Sequence, residues 1–377
     1  MINFNKPFIE EKDFEYIKDS FVNNKLCGDG KYTKLVGEWF EKNLNIKNLL
    51  LTTSCSSSLD MSAILCELKE EDEIILPSYT FVSTANAFLL RNVKLIFAEI
   101  DPKTMNISLE DVKNKITSKT KVICPVHYAG TSCDMDELIR ITSKNNIKIV
   151  EDAAQAVGSF YKGKPLGTFG DYGCYSFHET KNYAMGEGGA LIVKEDNNFL
   201  KAEMVREKGT DRSLFLKGMV DKYTWREMGS SYLPAELPVA LLYSQLMKYD
   251  EIMTKRMYVW NTYHALFEDL EKQEKIIRPF IPEYNEHNAH MYYLILPNME
   301  LRDKFIQKMK EHDIQTVFHY IPLHLSPMGQ KMGYKEGDLP KTEEYAGRLV
   351  RLPMYAGMTQ EELDKITDIT IKVVNEL

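Results

Sequence analysis

The sequence predicts an α/β protein whose larger part carries a mostly parallel sheet, followed by a smaller α+β part, and three observations predict it. Short apolar runs alternate with helical stretches over the first 250 residues, at Leu49-Leu50-Leu51, Glu73-Ile74-Ile75-Leu76, Lys94-Leu95-Ile96-Phe97-Ala98, Val122-Ile123-Cys124-Pro125-Val126 and Ile147-Lys148-Ile149-Val150. Beyond residue 250 the pattern changes to two long helices and short strands such as Met291–Leu296 and Thr316–Phe318. A chain of 377 residues with 44% hydrophobic content can fill two cores. We therefore expect a large domain over residues 1–248 and a small one over 249–377.

Taken in order, residues 8 to 24 carry Phe14, Ile17, Phe21 and Val22 at helical spacing, and Leu26-Cys27-Gly28-Asp29-Gly30 ends the pattern in a turn. A second amphipathic helix follows around Leu35, Trp39, Phe40 and Leu44. The first strand, Leu49–Thr53, stops in Ser54-Cys55-Ser56-Ser57-Ser58 and opens a helix through Leu59, Met61, Ile64 and Leu65. The residues leave two readings open there: an ordinary serine N-cap, or a phosphate held by free backbone N–H groups at the positive end of the helix dipole.

Ligands of parallel sheets bind at the carboxyl ends of the strands. Pro77-Ser78-Tyr79-Thr80-Phe81, His127-Tyr128-Ala129-Gly130 and Glu151-Asp152-Ala153-Ala154-Gln155 fall at such ends. Acids placed there need a cationic or hydrogen-bonding partner, so Asp152 reads either as the partner of a protonated ring nitrogen or as a helix cap.

The chain centres on Ser176-Phe177-His178-Glu179-Thr180-Lys181-Asn182, between the strand-like run Tyr172–Phe177 and a turn rich in Gly186, Gly188 and Gly189. A lysine amine becomes a useful nucleophile when confinement lowers its pKa, and Schiff-base chemistry is the usual reason to build such a site. Lys181 is the candidate catalytic residue. Between 206 and 226, Arg206, Lys208, Arg212, Lys217, Lys222 and Arg226 make a net-basic stretch, which suits a diphosphate or a solvated face equally. A helix is expected over about 239–268, and His319 and His324 stand five apart, a spacing that does not share a helix face.

The formal net charge of −8 argues against nucleic acid or an acidic membrane as partner. Six cysteines without a C-x-x-C pair read as reduced thiols, and no metal site is expected. The first residues lack a long apolar run and no segment suits a membrane span, so a soluble cytoplasmic protein is expected.

Lysine, acid, aromatic and serine-rich helix start together describe a pyridoxal phosphate site. The motifs Glu151-Asp152-Ala153-Ala154-Gln155-Ala156, Ser176–Asn182 and Gly186-Glu187-Gly188-Gly189 resemble the hallmark segments of the DegT/StrS sugar aminotransferases, over essentially the whole chain. Within that group, Leu26–Gly30, Phe81–Phe88, Pro125–Gly130, Asp221–Arg226 and Val317–His324 are most similar to the branch that makes TDP-4-amino-4,6-dideoxygalactose.

The resemblance implies the fold-type I aminotransferase architecture with a seven-stranded sheet, and pyridoxal 5′-phosphate as cofactor. It implies that Lys181 carries the cofactor as a Schiff base, Asp152 pairs with the pyridine nitrogen and Phe81 stacks on the ring. Ser56, Ser57 and Ser176 would hold the phosphate, Gln155 would touch the ring face or its hydroxyl, and His178 and Ser231 would complete the cofactor pocket. Gly28, Asp29, Asn182, Arg212, His319 and His324 would meet the substrate. Many relatives carry Gly-x-Asn-x-Arg where this chain has Gly229-Ser230-Ser231-Tyr232-Leu233; Ser231 can still hydrogen-bond a phosphate, whereas Leu233 brings no charge.

The implied reaction moves the amino group of L-glutamate, leaving 2-oxoglutarate, onto C4 of TDP-4-keto-6-deoxy-D-glucose to give TDP-4-amino-4,6-dideoxy-D-galactose, in a homodimer with shared sites and in the service of a surface polysaccharide. The rival enzyme reading is a transaminase acting at C3 of a TDP-keto-sugar, or on a UDP-keto-sugar. A dehydratase of the same fold carries His where Lys181 stands, a regulator without turnover need not keep the lysine, and a nicotinamide enzyme needs a Gly-x-Gly-x-x-Gly turn after its first strand, which this chain lacks.

Overall fold

Buried on both faces, β-branched and leucine-rich runs pair edge to edge into one sheet, and its strand ends set the position of everything functional. The computed structural model describes residues 1–377. The strands are β1 (Leu49–Thr52), β2 (Glu73–Pro77), β3 (Lys94–Ala98), β4 (Thr120–Ile123), β5 (Lys148–Asp152), β6 (Tyr172–Ser176) and β7 (Gly189–Val193), in the order β1-β7-β6-β5-β4-β2-β3. Strands β3, β2, β4, β5 and β6 pair in parallel, while β7 runs antiparallel to both β6 and β1. All strands but β7 therefore end at one edge, and the Ser176↔Gly189 and Thr52↔Gly189 pairs bring the start of β7 to that same edge.

Helices cover both faces. On one, α1 (Asp13–Val22) and α2 (Lys31–Leu44) enter a core with Ile75, Ile123, Ile149, Tyr175 and Phe177. In α2, Val36, Phe40 and Leu44 recur at helical spacing, each burial contributing roughly 2 kcal/mol. Its N-terminus carries no cap of its own; the buried Glu236 carboxylate instead accepts from the backbone N–H groups of Gly30 (2.9 Å), Tyr32 (2.8 Å) and Thr33 (3.2 Å). On the other face α3 (Cys55–Leu65) and α4 (Val82–Leu89) pack Leu59, Met61, Ala85 and Phe88 against Ile74, Val122 and Val150.

The helix expected over 239–268 is two, α5 (Glu236–Leu246) and α6 (Tyr249–Leu266). Val239, Leu242 and Leu246 of α5 pack in the large core, which α6 enters only through Tyr249 and Ile252 in its first turns, while Val259, Trp260 and Tyr263 further along enter a second one. That second core also holds α7 (Met299–Glu311), α8 (Gln360–Glu376) and the antiparallel pair β8 (Tyr292–Ile295) and β9 (Leu349–Leu352). On this ground we propose the domain division at 248/249. The first residues depart from it: Ile2 bridges Ile314 and packs in the second core, and the Phe4 carbonyl accepts from the Met354 N–H. Thr316–Phe318, expected as a strand, makes a single bridge at Val317↔Arg351.

No helix is long and apolar enough to cross a membrane, and all six cysteines are free thiols.

Candidate active site

Where β1, β2, β5 and β6 end, their loops meet the C-terminal part around a cavity of about 760 Å³. Among the residues proposed from sequence, Ser56, Phe81, Asp152, Gln155, Ser176, His178, Lys181 and His319 line it.

Lys181 sits in a loop held by its neighbours' backbone. Phe177 donates to the Gly188 carbonyl at 2.8 Å, Met185 to Phe177 at 2.8 Å and Glu179 to Gly186 at 2.8 Å, the last turn relying on the positive φ of Gly186. The Lys181 ammonium makes no ion pair within the chain. Desolvation by the cavity walls depresses its pKa, while the nearby Cys55 and Asp152 act in the opposite sense. Confinement thus raises the fraction of free amine, as a nucleophile and proton carrier requires.

Asp152 ends β5, 5% exposed. One oxygen accepts from the Thr84 hydroxyl at 2.6 Å and the other from the Ala154 N–H at 3.2 Å. These two bonds do not offset its loss of water, and burial raises its pKa. Such a carboxylate, facing a cavity, matches a cationic N–H partner. The adjacent Glu151 points the other way into the interior, where the N–H groups of Gly167 (2.8 Å), Phe169 and Gly170 (2.7 Å each) and His127 Nε2 at 2.7 Å surround it and lower its pKa despite burial.

Across the cavity, the helix start offers an anion site. Ser54 caps α3 by accepting from the Ser57 N–H at 3.0 Å, which leaves the first-turn N–H groups of Cys55 and Ser56 without a helical acceptor. Gly189 packs so closely there that a Cβ on it would stand 2.4 Å from Cys55 N. Gly189→Ala is therefore expected to displace this helix start and weaken cofactor affinity by at least about tenfold, since phosphate hydrogen bonds depend on sub-ångström placement; equilibrium titration of the apoprotein with the cofactor measures it. Phe81 is 56% exposed, a large aromatic ring left open on the wall. Lysine amine, acid, aromatic platform and N–H cradle are the parts pyridoxal phosphate needs, and the residues present fit that group.

The opposite wall is aromatic and cationic. His319 stacks on Tyr320 at 3.6 Å and shares a 2.7 Å hydrogen bond, through Nδ1, with the Tyr128 hydroxyl. Burial, with Arg351 and Lys181 nearby, pushes the His319 pKa well down, so its ring is neutral. Gln155 Nε2 donates to the Tyr320 hydroxyl at 3.1 Å while its Oε1 accepts from Ala129 N–H at 2.7 Å.

Other proposed residues lie off this wall. His324 is fully buried between Ser78 Oγ (2.7 Å to Nδ1) and Glu343 Oε1 (2.9 Å to Nε2), so as a substrate contact it is corrected to a structural clasp. Asn182 stands behind the lining, joined to His290 Nδ1 at 3.0 Å and the Asn288 carbonyl at 2.7 Å, and it positions His290. Ser57 turns its hydroxyl to Thr53 (2.8 Å) and Ser54 (3.0 Å). Asp29 accepts from Arg206 Nη2 at 2.8 Å, Arg212 pairs with Glu207 at 3.3 Å, Gly28 packs on Leu233 and Pro234, and Ser231 bridges Glu207. None of Ser57, Asn182, Gly28, Asp29, Arg212 and Ser231 lines the cavity.

Sequence reasoning missed Thr84, His290, Tyr320 and Arg351. The last carried a signal: a charged residue in the four-residue apolar strand Leu349-Val350-Arg351-Leu352.

The profile of the DegT/DnrJ/EryC1/StrS aminotransferase family matches residues 7–370. The spore coat polysaccharide biosynthesis protein SpsC of Bacillus subtilis (strain 168) is 30% identical, covering 98% of this chain and 96% of its own length. The dTDP-4-dehydro-2,3,6-trideoxy-D-glucose 4-aminotransferase of Saccharopolyspora spinosa is 26% identical, covering 99% and 97%. In structure, the PMP-form of the putative sugar aminotransferase Spr1654 from Streptococcus pneumoniae superposes with a TM-score of 0.92 over 100% of both chains at 24% identity, which is likeness of fold.

Proposed function

From the premise that the chain belongs to the DegT/DnrJ/EryC1/StrS aminotransferase family and is a pyridoxal phosphate-dependent aminotransferase, we propose that it aminates C4 of a nucleotide-linked keto-sugar. The substrate in this reading is TDP-4-keto-6-deoxy-D-glucose, the donor is L-glutamate, and the product is TDP-4-amino-4,6-dideoxy-D-galactose. The observation that carries it is the cavity itself, in which Lys181 and Asp152 stand with the exposed Phe81 ring and the open start of α3. Supporting the choice of nucleotide and carbon are the motifs shared with the TDP-4-amino-4,6-dideoxygalactose branch and the similarity to a 4-aminotransferase of a dTDP-4-dehydro sugar. The name of SpsC supports a role in polysaccharide biosynthesis.

The cofactor, when bound, supplies an electron sink that stabilises negative charge at the carbon being deprotonated. The rest is the work of side chains. Ser56, Ser176 and the N–H groups of Cys55 and Ser56 hold the phosphate, and Phe81 supports one ring face. Thr84 and the Ala154 N–H fix the Asp152 carboxylate so that it keeps a proton on the ring nitrogen. Lys181 would take the proton from Cα of the amino donor and, in the second half-reaction, deliver a proton to C4 of the sugar. His319 and Tyr320 close the substrate side.

The proposal includes a cytoplasmic homodimer whose subunits share their sites. Exposed apolar side chains near the basic stretch support it: Leu216, Met219, Trp225 and Met228 are 62%, 68%, 80% and 61% exposed. Product analysis by NMR tests the chemistry, with TDP-, UDP- and GDP-linked 4-keto-6-deoxy sugars and a TDP-linked 3-keto sugar offered in parallel. The expected result is an axial amine at C4 from the TDP-4-keto substrate; amine at C3, or a preference for another nucleotide, would overturn this reading.

A further inference from the structure

A second cavity, of about 670 Å³, lies apart from the reaction cavity and shares none of its lining residues. Lys103, in the loop after β3, comes from the large part of the chain and the aromatic residues from beyond position 249, so both parts contribute to it. Its walls are aromatic. Trp260 on α6 carries the His264 ring stacked at 4.5 Å with 19° between the planes, and the His287 ring lies 4.3 Å away. Phe280 is 50% exposed and Tyr345 half-buried.

The polar groups left free there are of one kind. Arg278 and Glu271 satisfy each other, the backbone N–H and Nε of the arginine each donating to the carboxylate at 2.7 Å, so together they bring no net charge. Burial holds the His287 pKa down to about 4, and its Nδ1 accepts from the Ala289 N–H at 3.1 Å. The neutral ring therefore keeps its proton on Nε2, as a donor. The indole N–H of Trp260 is a donor only. Lys103 is exposed and makes no ion pair, which leaves it the one uncompensated charge among the lining residues.

Aromatic walls, N–H donors and a single ammonium complement a planar ring with acceptor atoms on its edge and one anionic tail. A hydrocarbon would leave the donors unpaired, and a sugar phosphate would leave the rings uncovered. We propose that this second cavity binds a nucleoside monophosphate, with the base against the aromatic wall and the phosphate on Lys103. Every base has a π-face to stack and edge oxygens or nitrogens that accept, and a cavity of this size encloses a molecule of nucleotide dimensions. One ammonium suits one phosphate; a diphosphate would bring charge that nothing else in the cavity offsets. The proposal does not depend on the amination chemistry, since neither Lys181 nor Asp152 belongs to this cavity.

The test is equilibrium dialysis of the holoenzyme against thymidine 5′-monophosphate, counting bound nucleotide per subunit. Whether or not the reaction cavity also takes the nucleotide, one bound molecule per subunit is expected to weaken at least about tenfold in Phe280→Ser, which removes a stacking ring. Lys103→Glu should weaken the same molecule by about tenfold or more, and Lys103→Arg should keep it. Thymidine and ribose 5-phosphate, each lacking one half of the ligand, should bind at least about tenfold less tightly than the nucleotide. Both positions lie outside the reaction cavity, so bleaching of the cofactor band by L-glutamate stays at the wild-type rate and certifies the fold of the variants. No binding up to about 1 mM nucleotide, binding that neither variant weakens, or ribose 5-phosphate held as tightly as the nucleotide would overturn the proposal. An enzyme that answers to no nucleotide keto-sugar would contradict the proposed function and leave this comparison intact.

Discussion

Lys181→Ala is expected to lower turnover by at least about ten-thousandfold while the protein stays folded and still binds pyridoxamine phosphate. The structure supplies the reason for both halves. Lys181 is the single amine on the wall, it makes no ion pair, and confinement holds its pKa down. The only other cation there is Arg351, which cannot give up a proton at neutral pH. No other amine stands there to take its place. Folding is spared because the loop is held by backbone bonds among Phe177, Glu179, Met185, Gly186 and Gly188 that the side chain does not join. Single-turnover spectra with glutamate, beside pyridoxamine phosphate titration, measure the two quantities; repeated turnover by the variant would remove Lys181 from the mechanism.

Asp152→Asn is expected to cost about a thousandfold in kcat, with a smaller loss of cofactor affinity. The amide has the shape of the carboxylate; its oxygen can accept from the Ala154 N–H while its NH2 donates to the Thr84 hydroxyl, which turns from donor to acceptor, so the wall keeps its form. What it lacks is the negative charge that, in the proposed mechanism, keeps a proton on the ring nitrogen. A second effect separates charge from shape. In the apoprotein burial raises the Asp152 pKa, so over the window from the ordinary carboxylate value up to that raised value the folded chain holds a proton that the unfolded chain has released. Apoprotein stability therefore falls as pH rises through this window, and the variant should lose that dependence. Thermal melts of both apoproteins across the acid range measure it.

The sequence made the strand ends legible because a parallel sheet forces its chemistry to one edge. Lys181, Asp152, Phe81 and Ser56 could be placed there from the apolar runs that precede them, and all four line one cavity. Where the sequence failed, long-range packing decided. His324 looked like a pocket residue beside His319, yet the polypeptide turns between them and buries it against Ser78, a residue 246 positions away. Asn182 follows Lys181 directly, but adjacent loop residues diverge, and its amide faces Asn288 and His290. Arg212 had a nearby carboxylate in Glu207, a pairing that net charge over a stretch conceals. Arg351 lay in a part of the chain read only as small-domain core, and its exit from that core follows from strand alternation.

The central claim is a site that receives an amino group through Lys181 and passes it to a keto-sugar. The most direct test is one absorbance record of the purified holoenzyme, to which L-glutamate and then, after its removal, TDP-4-keto-6-deoxy-D-glucose are added. The account predicts a visible cofactor band that bleaches with glutamate and returns with the keto-sugar. A band that glutamate leaves unchanged, or one that bleaches and is not restored by the sugar, would contradict it.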